Sequence, residues 1–130
     1  MTGTVTIEIA PGELIDKITI LEIKTTFIDD PGKLENVRIE LETLEKSRDT
    51  AIAPSPEMDR LTADLKAVNL ELWQLEDDIR DCERDGDFGP KFVELARSVY
   101  KTNDRRAALK REINTLLGSR LVEEKSYRPY

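Results

Sequence analysis

Arg106 is the residue of this chain with the clearest capacity for chemistry. Heptad steps between Val99 and Leu109 land on Thr102 and Arg106, on a face otherwise made by Phe92, Leu95, Val99, Leu109, Ile113 and Leu116. A guanidinium is therefore aimed near the middle of an apolar stripe, with Asn103 and Lys110 flanking it. Its planar fork suits a carboxylate or a phosphate. Three explanations stand beside one another. The stem packs inside while the head reaches solvent. The charge is paired internally, with Glu22, Glu76 and Asp16 as candidate carboxylates. Or the group binds a small anion between helices, with Arg106, Lys110, Asn103 and Lys24 as the ligand-binding set. The first two carry more weight, because a polar group in a seam is a known device for fixing register.

Little else in the chain suggests a reaction. There is no histidine, which removes the commonest general base near neutral pH and the commonest transition-metal ligand. Gly-rich phosphate loops, catalytic triads and metalloprotease motifs are absent. The acidic runs Glu76-Asp77-Asp78 and Asp81-Glu83 read as a solvated face, since a hard-metal site needs carboxylates converging from two elements. Cys82, the one cysteine, lies on an apolar seam and reads as core rather than nucleophile. No catalytic residue, metal site or cofactor is assigned, and the reading leans away from an enzyme.

The elements that position these residues are marked by prolines. Pro11, Pro31, Pro56 and Pro90 each stand where an apolar-periodic run begins. Proline suits the first helical position, where its missing N–H has no partner to lose. The parse predicts an all-α chain, an antiparallel hairpin or bundle of about four helices over residues 11–28, 31–48, 56–84 and 90–117. A short strand over residues 4–9 precedes them and a tail over 119–130 follows. In the strand, Val5, Ile7 and Ile9 alternate with Thr4, Thr6 and Glu8, so one face is expected to be buried. A lone strand needs a partner, either the run Arg120 to Tyr127 or the same strand of a second copy.

Apolar residues on several sides make the first helix the central one. Asp30 and Ser55 are expected caps. The third segment runs Met58, Leu61, Leu65, Val68, Leu72, Leu75, Ile79, Cys82 in strict threes and fours, a seam of coiled-coil type. Leu70 and Trp73 lie off that seam and should be covered by the first helix or by a second subunit. Tyr100, beside the inward face of the last helix, suits a hydrogen-bond anchor. That helix is read as continuous, though Asn103-Asp104 would serve as a cap if it restarted there.

Length and charge set the remaining bounds. At 130 residues the chain reads as one domain, 1–130. The most apolar stretch, Leu14 to Ile28, carries Asp16, Lys17, Glu22 and Lys24, so no membrane span is expected. With no signal peptide in view, the location read is cytoplasmic. The net charge of −7 hides a split, net −12 over residues 1–90 and net +5 over 91–130. Pairing of the two parts within the fold or across a dimer is the favoured account. The stripe Arg97, Lys101, Arg105 lacks interleaved aromatics in an acidic chain, so nucleic acid is not an expected partner.

Three stretches, PGELIDKITILEIK (11–24), ELARSVYKTNDRRAALKREIN (94–114) and LVEEKSY (121–127), resemble a bacterial family of unknown function numbered 6165. The resemblance implies a complete single-domain bacterial protein and carries no activity, cofactor or site residue with it. The regular seam, the apolar positions off it and the lack of catalytic chemistry make non-catalytic association the function expected, as a homodimer or as an adaptor to another protein. The alternative is binding of a small anion, a phosphorylated or dicarboxylate metabolite, or cofactor-free helical catalysis built on an inward arginine.

Overall fold

The computed structural model describes residues 3–130. Four helices follow one another, α1 Pro11–Phe27, α2 Pro31–Ala51, α3 Pro56–Asp85 and α4 Pro90–Leu116. Each opens on its proline. The Lys33 N–H donates to the Asp30 carboxylate and the Met58 N–H to the Ser55 hydroxyl, the side-chain caps expected of these residue types. α3 stops where Gly86 takes a left-handed φ of 69°, a conformation that would strain a residue with a Cβ. α4 runs without a break past Asn103 and Asp104, so Arg106 stays on the inward side of one continuous helix.

α1 is the central helix and packs on α2, α3 and α4. Leu14, Ile15, Ile18, Leu21 and Ile23 are all buried, which uses more than one side of the helix. Ile15 joins Met58, Leu61, Leu65 and Ile113 in the main core, with Ile52 and Leu109 packed against it. α2 touches α1 alone among the other helices. Its stripe Leu34, Val37, Leu41, Leu44 is accordingly only half-buried except at Val37.

α3 and α4 form the antiparallel hairpin, and they outreach α1. Thirty residues span about 45 Å of helix and seventeen about 25 Å. α1 ends where Phe27 stacks on Trp73 at 5.7 Å between ring centres. Beyond that point Leu75, Ile79, Leu95 and Val99 are half-buried between two helices, with Cys82 covered and Phe88 set edge-on against Phe92.

The expected strand over residues 4–9 is not formed. Residues 3–10 carry no regular secondary structure, and no strand occurs among the described residues. Val5 is 85% and Ile7 69% exposed, where alternation predicted a buried face. The reason lies at the other end of the chain. Among the described residues no backbone hydrogen bond joins positions 5–9 to residues 120–127, and the two segments meet in a side-chain ion pair, Arg120 to Glu8 at 2.9 Å. The tail turns instead over α4, where Lys110 and Arg111 take Glu123 and Glu124.

Candidate ligand cleft

α1 and α4 run antiparallel and are joined by polar rungs one helical turn apart on α4. The Gly12 N–H donates to the Asn114 side-chain carbonyl at 2.7 Å. Lys110 Nζ donates to Glu13 Oε2 at 2.8 Å. Arg106 donates from Nε and Nη2 to the two oxygens of Asp16, at 2.9 and 2.5 Å. The first rung does the work of a cap. Ala10, at the N-cap of α1, offers no side-chain acceptor, so Asn114 of another helix receives an N–H that the helix start leaves over.

Asp16 is 1% exposed and ties three helices together. Besides Arg106 of α4 it accepts from Asn69 Nδ2 of α3 at 2.9 Å. Asn69 also donates to the Thr19 hydroxyl, which in turn donates to the Asp16 backbone carbonyl. Burial by itself would push the Asp16 carboxyl up. The hydrogen bonds from Arg106 and Asn69, with the charges of Arg106 and Lys110, overrule it and hold the group below the usual range. Burial likewise pulls the Lys110 ammonium down, but its bond and charge interaction with Glu13, helped by Asp16 and Glu123, hold it above the usual lysine value. Both groups therefore keep their charges through neutral pH, and neither is poised for proton transfer there.

Of the explanations open for Arg106, internal pairing is the one observed, with Asp16. The other two candidate carboxylates are engaged elsewhere, Glu22 with Lys66 and Glu76 with Arg80. The pairing is side-on, through Nε and Nη2. The Arg106 side chain stays 31% exposed and lines a cleft of about 960 Å³ between α4 and the C-terminal tail. Asn103, Lys110 and Tyr100 line it from α4, and Glu123, Tyr127 and Tyr130 from the tail. So three of the four residues set out as an anion site, Arg106, Lys110 and Asn103, share one cleft. Lys24 does not join them. It lies eight residues beyond Asp16 on α1, about 12 Å along the axis, and is absent from the lining. Glu13, Asn69, Asn114 and Glu123 escaped the sequence reading. Asn69, one turn beyond Leu65 on α3, carried a usable signal as a polar group beside a seam.

The three stretches that carry the family resemblance converge here, through Glu13 and Asp16, through Asn103, Arg106 and Lys110, and through Glu123 and Tyr127. Residues 5–129 match the Family of unknown function (DUF6165). The chain belongs to that family. No curated protein and no solved structure matches it.

Much of the charge split is answered inside this DUF6165 fold. Arg105 meets Glu71, Arg106 meets Asp16, Lys110 meets Glu13 and Arg120 meets Glu8, each joining the basic part to the acidic part. Arg97, Lys101 and Arg105 are exposed, as their stripe predicts. Among the described residues, no helix is long and apolar enough to cross a membrane.

Proposed function

We propose that this protein acts by association rather than by catalysis, and that its first partner is a second copy of itself. The observation that carries the reading is the exposure of Val5 and Ile7 on a segment whose sequence is patterned as a strand. Among the described residues, positions 5–9 exchange no backbone hydrogen bonds with another segment. An edge of this kind, carrying apolar side chains, is a template for another strand.

A second copy fits that template. Antiparallel pairing about a two-fold axis at Ile7 sets Ile7 against its counterpart, Val5 against Ile9, and Thr6 against Glu8. Apolar residues then face apolar ones and the two Glu8 side chains avoid each other, as an isologous interface requires. The single cysteine is free and buried, which suits the reducing cytoplasm we assign to it. A homodimer leaves the cleft and the far end of the hairpin open to further partners.

Light scattering over a range of concentrations tests the reading. The wild-type chain is expected to run at twice its 14.9 kDa mass. Val5→Asp combined with Ile7→Asp should return it to a monomer with unchanged helical circular dichroism, because neither residue touches the helical core. A wild-type chain that stays monomeric up to about 1 mM would refute the proposal.

A further inference from the structure

We infer that the cleft between α4 and the C-terminal tail is a binding site for a small organic carboxylate, which takes the outer edge of Arg106 and the place on Lys110 that Glu123 now holds. The inference is independent of self-association.

The geometry of the guanidinium is its first support. Asp16 uses Nε and one N–H of Nη2. A guanidinium has five N–H donors in a fixed fork, so Nη1 and the second N–H of Nη2 remain as a parallel pair. Asp16 is itself locked by Asn69 and cannot swing out, so it fixes the plane in which that pair points. Arg106 is thereby pre-organised for a second planar acceptor on its cleft side.

The second support is the way Lys110 is shared. Its ammonium lies 2.8 Å from Glu13, a helical residue, but 3.2 and 3.3 Å from the two oxygens of Glu123. Glu123 is 40% exposed and belongs to a tail without secondary structure. It is a carboxylate held loosely on an almost buried cation, and it can leave for water at small cost. With Glu123 in place, the lining holds Arg106, Lys110, Lys125 and Arg128 against Glu13, Asp104 and Glu123. Asp16 behind Arg106 completes the balance, so an incoming anion has to replace one of these carboxylates. Glu123 is the only one of the lining three not held on a helix. Exchange of one carboxylate for another keeps the charge. A phosphate dianion would add to it while Glu13 and Asp104 remain.

The third support is the rest of the wall. Tyr100, Tyr127 and Tyr130 line the same cleft, and aromatic faces suit the body of an organic acid better than a bare inorganic ion.

Nuclear magnetic resonance of the ¹⁵N-labelled full chain decides the matter, with the Arg106 Nε–H followed at constant ionic strength. The probes are the monocarboxylates butyrate and 4-hydroxyphenylacetate, with inorganic phosphate and sulfate as comparators. Both organic acids are expected to shift that signal and the amides around Glu123 with saturation at millimolar concentrations. In Glu123→Gln the same titrations should tighten about 2–5-fold, the worth of a half-exposed ion pair expressed as a ratio. Arg106→Lys keeps the charge and loses the fork, and should weaken binding at least about tenfold. Should that variant unfold, the Glu123→Gln arm decides alone. No shift with either acid at about 10 mM, equal shifts with phosphate and sulfate, or an affinity indifferent to Glu123→Gln would each overturn the inference.

Discussion

Asp16 is the residue at which α1, α3 and α4 are fastened, and its chemistry makes the fastening conditional on charge. Replacing it by asparagine leaves Arg106 facing an amide and breaks a pair whose acidic member is 1% exposed. Losing one partner of a buried pair costs roughly 3–5 kcal/mol. With the Arg106 side chain 31% exposed, the guanidinium regains some solvation, so Asp16→Asn should cost about 3 kcal/mol in urea denaturation. The pH dependence follows from the sign of the shift. Asp16 has its folded pKa depressed below 3.8, so its contribution is complete above the unfolded value and is lost as pH falls through the folded one. The wild-type urea midpoint should therefore fall more steeply than that of Asp16→Asn as pH drops below about 4. Gly12 shows the same interface from the backbone side. A Cβ there would stand 2.4 Å from the Lys110 carbonyl oxygen and 2.8 Å from Asn114 Oδ1. The helical backbone cannot retreat, so Gly12→Ala should lose about 2 kcal/mol in the same assay, despite the better helix propensity of alanine. At this scale the sequence offered Arg106 and three candidate partners. Which of them it meets depends on how α1 slides along α4, and no local pattern records that.

Among the elements, α3 shows how far a seam can be read. Its threes and fours predicted one continuous seam, and along it Met58, Leu61, Leu65, Val68 and Cys82 are buried, but Leu72, Leu75 and Ile79 are half-buried. Periodicity names a face and says nothing of how many neighbours cover it. α1 covers the first half of α3 and stops at Trp73. The two leucines should therefore respond differently to truncation. Leu65→Ala, at a site 0% exposed, should cost about 4 kcal/mol, and Leu72→Ala about 1–2 kcal/mol, by thermal or urea unfolding. Equal losses would mean that the far half of the hairpin is as well covered as the near half, as a partner seated there would make it. The four helix starts were legible because each carries its own proline, with a capping side chain at two of them. The strand over residues 4–9 was misjudged because alternation describes the side chains a strand would need and not whether a second strand is at hand.

For the molecule as a whole, the proposed pairing through Val5 and Ile7 would tie stability to concentration. If two copies pair there, dilution releases them, and the thermal midpoint should rise with protein concentration in the wild type and not in the Val5→Asp, Ile7→Asp chain. The cleft under the tail belongs to the same scale, since its walls come from the end of the chain and from α4, and its floor from the α1 rungs. What the sequence by itself determined is local: four helices, the proline at which each starts, the central place of α1 and the inward aim of Arg106. Each follows from residue spacing within one turn or one heptad, which the backbone enforces wherever the segment lies. Only the tertiary structure decided that Asp16 receives the guanidinium, that Asn114 caps a helix about a hundred residues away in sequence, and that the tail covers α4 instead of pairing with the N-terminal segment. Those choices compare the burial and charge of segments far apart in the chain, and only the folded arrangement sets such distances.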